Sequence, residues 1–212
     1  MGNELDPLVL LDWRRRVAEL YAAVRRAEDP RRGWERWRAV RDELFASHPA
    51  SPLPAEARPA FRGLDLFDYD PAARVAAEVR RAEAREVELA AGDGARYRFT
   101  RFARAGFELA GAGRELDLHW LHGYAGGVFL SFTDATTGEA TYGGGRYLLD
   151  TVKSADLGGT DGRLTLDFNF AYNPSCSYDP AWSCPLPSGE NRLACPVAAG
   201  ERAPSLTGGG GG

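Results

Sequence analysis

Lysine is almost missing from this sequence: of 26 basic residues only Lys153 is a lysine. Methionine occurs once, as Met1, and histidine and cysteine three times each. Schiff-base chemistry is therefore confined to Lys153. The abundance of Arg, Ala and Gly reads as the bias of a GC-rich genome and carries no functional weight. No apolar run approaches the roughly 18–20 residues of a membrane span. The segment Met1-Gly2-Asn3-Glu4-Leu5-Asp6 lacks the basic and apolar regions of a signal peptide. Gly2 is not followed by the Ser or Thr at position 6 that myristoylation favours. A cytoplasmic protein with reduced cysteines is expected. A net charge of -4 argues against a nucleic-acid binder, which needs a basic surface to neutralise phosphates. The glycines Gly143–Gly145 precede a strand pattern with no Gly-Lys-Ser/Thr after them, so a phosphate-binding P-loop is excluded. G-x-S-x-G and H-E-x-x-H are also missing. No cofactor fingerprint is present.

What is present, 44% hydrophobic and 26% charged residues over 212 positions, suits one globular domain with a real core. Residues 1–46 read as a helical hairpin. Asp6-Pro7 and Asp29-Pro30 are start signals. Trp13, Val17, Leu20, Tyr21 and Val24 form one apolar stripe, and Trp34, Trp37, Val40, Leu44 and Phe45 a second. Ten Arg against nine acids make the outer faces a mixed, solvated surface. Residues 47–84 form a proline-rich strap, with Pro49, Pro52, Pro54, Pro59 and Pro71 forbidding continuous helix or central strand. From about Arg85 the apolar period becomes two. Short alternating segments around Val87-Leu89, Tyr97-Leu109, Leu116-Trp120, Val128-Phe132, Tyr147-Leu149 and Leu164-Phe170 are separated by glycine turns. Residues 85–204 are thus an antiparallel β domain ending in a long coil, and 205–212 a disordered glycine tail. The fold class is α+β: a helical hairpin packed on an antiparallel, barrel-like sheet with a long C-terminal coil.

One stretch is specific enough to carry a resemblance. It runs Gly144-Gly145-Arg146-Tyr147-Leu148, then Leu166-Asp167-Phe168-Asn169-Phe170-Ala171-Tyr172-Asn173-Pro174-Ser175-Cys176-Ser177-Tyr178. Cys184-Pro185-Leu186-Pro187, Glu190-Asn191-Arg192-Leu193 and Gly200-Glu201 follow. With Ser47–Leu53 and Phe61–Leu64 upstream, it resembles the bacterial and archaeal family known as domain of unknown function 1684. Two positions depart from that pattern: Phe170, where many relatives are expected to carry Arg, and Cys195, where an apolar strand residue is expected. The resemblance implies a place to look and brings no activity.

In the motif, a strand through Asp167-Phe168-Asn169-Phe170 puts Asp167 and Asn169 on one face and both phenylalanines on the other. Arg146 on the preceding hairpin is within reach of Asp167, and Glu190 and Asn191 complete a polar network. Two readings compete: a clamp that satisfies the backbone of an irregular coil, and a binding or catalytic site. The leading functional expectation is a small-molecule-binding domain for a polar or anionic ligand, with Arg146, Asp167, Asn169, Tyr172, Asn173, Glu190 and Asn191 lining its pocket. An alternative is a hydrolase or lyase with Asp167 or His119 as general base. A third is an interaction protein, for which an exposed aromatic patch at Trp13, Trp34 and Trp37 would be the sign. Asp117 and His119 share a strand face, read first as a surface pair on the sheet. His48, before Pro49, reads as a capping or packing residue. Cys176 and Cys184, with seven residues between them, are poorly spaced for zinc. Two inert buried thiols are favoured over a disulfide.

Overall fold

The computed structural model describes residues 6–124 and 126–205. The expectations for residues 1–5 and for residues 206–212 of the tail fall outside them. Helices α1 (Pro7–Arg25) and α2 (Pro30–Ser47) start where the sequence signals place them. Asp6 accepts from the Leu8 N–H at 2.8 Å and Asp29 from that of Arg31 at 2.9 Å. Each cap satisfies a first-turn donor that has no partner inside its helix. The buried stripe is Leu20, Tyr21 and Val24 on α1 and Trp34, Trp37, Leu44 and Phe45 on α2.

The strap runs as extended chain with two short 3-10 turns, Arg58–Ala60 and Pro71–Ala73. It is fixed to α2 where the Leu64 N–H donates to Asp42 at 2.8 Å. It is fixed to the C-terminal coil where the Phe67 N–H donates to the Gly200 carbonyl at 3.0 Å.

Seven strands follow: β1 (Arg74–Ala90), β2 (Arg96–Leu109), β3 (Ala112–Leu121), β4 (Gly127–Phe132), β5 (Arg146–Asp150), β6 (Gly159–Thr160) and β7 (Arg163–Asp167). They form one antiparallel sheet in the order β5-β4-β3-β2-β1-β7-β6. That order is linear, so the sheet is open and the barrel-like expectation holds only loosely. β1 begins well before Arg85, inside the segment read as strap. Its Ala, Glu and Arg content favours helix locally, but β2 pairs along it and β7 pairs with Arg74–Glu78. Two ladders of non-local hydrogen bonds override a weak local preference.

The sheet has a core on each face. One gathers Leu116, Leu118, Leu130, Phe132, Leu148 and Phe168 with Leu193, Cys195 and Val197 of the coil. The other gathers Phe99, Phe129 and Tyr147 with Leu20, Tyr21, Trp34 and Trp37 of the helices and Phe170, Tyr172 and Cys184 of the coil. Phe168 and Phe170 therefore serve opposite cores, contrary to the strand reading. β7 stops at Asp167, and Phe168–Phe170 is a 3-10 turn in which alternate residues no longer share a face. Trp34 and Trp37 are buried, so the aromatic patch expected of an interaction protein is not formed by them.

Candidate functional site

The seven expected site residues do not converge on one pocket. Arg146 opens β5 and is fully buried. Its guanidinium donates to Asp134 at 2.9 Å, to the Val197 carbonyl at 3.0 Å, and to the Ala199 and Glu201 carbonyls. Asp134 in turn accepts from the Thr136 N–H at 2.8 Å and the Val197 N–H at 3.2 Å. Gly145 lets Arg146 enter this position. Its φ is +78°, and a Cβ there would stand 2.7 Å from the Phe132 carbonyl oxygen. The partner expected for Arg146, Asp167, belongs elsewhere. Asp167 lies opposite Arg74 in the β1–β7 ladder, and Arg74 donates to it at 3.1 Å. β5 and β7 come into contact although they are not ladder neighbours, so the register of β1 against β7, not distance, gives Asp167 to Arg74.

Asp167 caps the turn that follows it, accepting the Asn169 N–H at 3.0 Å and its side-chain amide at 2.8 Å. Asn169 reaches on to the strap, exchanging hydrogen bonds with the Asp70 backbone at 2.7 and 2.9 Å. Asn191 does similar work between β3 and β4. Their ladder runs only from His119–Leu121 on β3 to Gly127–Phe129 on β4. Beyond it the Asn191 amide accepts from the Asp117 N–H at 2.7 Å and donates to the Asp117 and Ser131 carbonyls at 3.0 and 2.9 Å. Glu190, next to it, is exposed and meets Arg85 at 2.7 Å. Arg146, Asp167, Asn169 and Asn191 are thus clamps for backbone that no ladder satisfies.

His119 is buried, with no hydrogen-bond partner on either ring nitrogen among the described residues. Burial holds its pKa below the usual value, against the pull of Asp117 and Glu190. Asp117 is buried as well and turns to Arg104 at 3.0 Å, so the expected surface pair is not one. Neither His119 nor Asp167 lines the cavity described next. His48 joins α1 to the strap, meeting Asp12 at 3.1 Å and accepting the Ala50 N–H at 3.0 Å.

Tyr172 and Asn173, the two remaining expected residues, do meet a cavity. Its volume is about 270 Å³, and it lies between the helical hairpin and the coil. Trp13, Val17, Tyr21 and Phe45 of the helices form one side, and Tyr172, Asn173, Ser175, Trp182 and Cys184 of the coil the other. Arg14, Arg41 and Lys153 line it, and no Asp or Glu does. Arg41 is boxed by the rings of Trp37, Phe45 and Tyr172, at 4.8, 5.1 and 5.1 Å. Glu201, behind it, accepts from Arg41, from the Asn173 N–H at 2.7 Å and from the Tyr178 hydroxyl at 2.9 Å. Gly200 allows that approach: its φ is +78°, and a Cβ would stand 2.5 Å from the Ala171 carbonyl oxygen. Lys153 pairs with Asp150 at 3.5 Å. The Tyr172 hydroxyl and the Asn173 side-chain oxygen are buried without a partner among the described residues. Burial holds the Tyr172 phenol protonated, its pKa well above the ordinary value.

Arg41 and Lys153 were not legible as pocket residues, their one sequence signal being that Lys153 is the sole lysine, and Cys184 was read as an inert thiol of the motif.

A family model described as protein of unknown function (DUF1684) matches residues 59–202. The solution NMR structure of the uncharacterized protein from gene locus rrnAC0354 of Haloarcula marismortui is 40% identical, covering 79% of this chain and 91% of that one, with a TM-score of 0.56. The curated proteins compared gave no match. No helix among the described residues is long and apolar enough to cross a membrane.

Proposed function

The chain belongs to the DUF1684 family of proteins of unknown function, and from that premise we propose that it binds a small anionic molecule with an apolar body. The site is the cavity between the helical hairpin and the C-terminal coil. The observation that carries this reading is its lining: three cationic side chains and no carboxylate, set among aromatic and aliphatic walls. Arg41 and Lys153 already hold Glu201 and Asp150, while Arg14 at the exposed rim has no ion pair among the described residues. An acid entering this space meets positive potential without facing a lining carboxylate. Tyr172 contributes its aromatic ring to the wall. A volume of about 270 Å³ suits a monocyclic aromatic or short-chain acid, since drug-sized ligands occupy roughly 300–1,000 Å³. Of the residues expected from sequence, Tyr172 and Asn173 line the cavity, and the clamps hold the coil that carries them. Three free thiols suit a reducing compartment and support a cytoplasmic location.

Two measurements test the reading. A native mass spectrum, compared with the denatured one, reveals a co-purifying acid as mass lost on unfolding. Thermal melts with benzoate and octanoate, against benzyl alcohol and octanol, ask whether the charge matters. The acids are expected to raise the Tm with concentration and the alcohols to leave it unmoved. Lys153→Met is expected to weaken acid binding about tenfold, the scale of one lost hydrogen bond to a charged group. A bare mass together with equal or absent shifts for acids and alcohols overturns it.

A further inference from the structure

Cys176 and Cys184 meet at the coil wall of the cavity. The Cys184 sulfur accepts the backbone N–H of Cys176 at 3.4 Å, which brings the two residues together at the cavity's edge. Cys195 packs on the opposite face of the sheet with Leu193 and Val197, so it is no partner for either. The two sulfurs also differ. The Cys176 N–H donates to Cys184, and the ammonium of Lys153, which lines the same cavity, favours its thiolate against burial. Cys176 does not line the cavity and lies beside the Tyr142 hydroxyl at 4.0 Å. Cys184 is nearly closed to bulk solvent but lines the cavity, while Cys176 is partly exposed.

We propose that Cys184 and Cys176 are a hydroperoxide-reactive dithiol, with Cys184 the attacking sulfur and Cys176 the resolving one. The Cys184 thiolate attacks one peroxide oxygen. An S–O bond forms, the O–O bond breaks, and the leaving oxygen takes a proton from solvent to depart as an alcohol, or as water from hydrogen peroxide. The Cys176 sulfur then attacks the sulfenic sulfur. An S–S bond forms, the S–O bond breaks, and hydroxide leaves with the Cys176 proton as a second water. Both thiols are oxidised and the hydroperoxide is reduced. The reaction needs the cavity only as an access route, so it stands apart from the binding of an acid.

The test uses the full, reduced chain, freed of reductant and exposed to a small excess of hydrogen peroxide. Remaining thiols are alkylated before intact-mass and peptide analysis without reduction. The expected product has lost two hydrogens, with Cys176 linked to Cys184 and Cys195 alkylated. Cys176→Ser is expected to stop at a sulfenic acid on Cys184, captured by dimedone, and Cys184→Ser to leave Cys176 alkylatable at the same dose. Cys184 should react at least about tenfold faster than Cys195, because the thiolate is the reactive form. Oxidation of Cys195 at an equal rate overturns the proposal, as does a wild-type map without the linked peptide. The wild-type map decides even if a variant fails to fold.

Discussion

Two tyrosines on the C-terminal coil contrast a paired with an unpaired buried hydroxyl. Tyr178 and Tyr172 are both buried, and each ends in one hydroxyl. That of Tyr178 donates to Glu201 at 2.9 Å, whereas that of Tyr172 has no partner. Removing a buried bond to a charged acceptor costs about 1.5–3 kcal/mol, while removing an unpaired hydroxyl relieves its desolvation penalty. Tyr178→Phe is therefore expected to lower the urea midpoint of unfolding by that cost. Tyr172→Phe should stay within about 0.5 kcal/mol of the parent, or above it. If Tyr172→Phe is as destabilising as Tyr178→Phe, its hydroxyl has a structural partner after all.

Among the elements, the gap between β3 and β4 carries the sharpest expectation, because neighbouring residues of the coil have opposite roles there. Asn191 supplies three hydrogen bonds to strand backbone that the two strands do not supply to each other. Asn191→Ala leaves one N–H and two carbonyls buried and unpaired, for a cost of about 2–5 kcal/mol after partial relaxation. Glu190→Ala removes only an exposed pair with Arg85, and about 0–1 kcal/mol goes with it. Urea midpoints of the two variants check the contrast, and equal midpoints would show that water replaces the Asn191 amide. The helices were legible because their signals are local: Asp6-Pro7 and Asp29-Pro30 cap whatever follows them. The start of β1 was hidden, because Ala- and Glu-rich sequence becomes strand only when β2 and β7 arrive on either side. The motif residues were legible as an irregular coil's polar set, but their partners were not. Arg146 meets Asp134 of the loop after β4, and Asp167 meets Arg74 through the β1–β7 register, neither of which any spacing within the motif encodes.

At the scale of the whole molecule, the helical hairpin lies outside the span matched by the family model yet inside the core. Residues 59–202 carry the match, whereas Trp37, Leu44 and Phe45 are buried from α2. Trp37 packs on Phe170 at 5.2 Å, and Phe45 on Tyr178 at 5.0 Å. Arg41 neutralises the buried Glu201, which in turn holds Asn173 and Tyr178. Burying each large apolar side chain contributes about 1.5–3 kcal/mol. Exposing partners of several of them exceeds the roughly 5–15 kcal/mol by which a domain is stable. Stripping Arg41 from Glu201 adds about 3–5 kcal/mol for a buried charge left alone. A chain of residues 59–205 is therefore expected to lack the near-ultraviolet circular dichroism of packed aromatics and to melt without a cooperative transition. The same chain with Glu201→Gln should recover part of the loss due to charge and none of that due to packing. A cooperative melt of the unsubstituted fragment would mean that the sheet and coil fold alone. The hairpin would then be a lid on the cavity, and acid binding would be lost while folding survived.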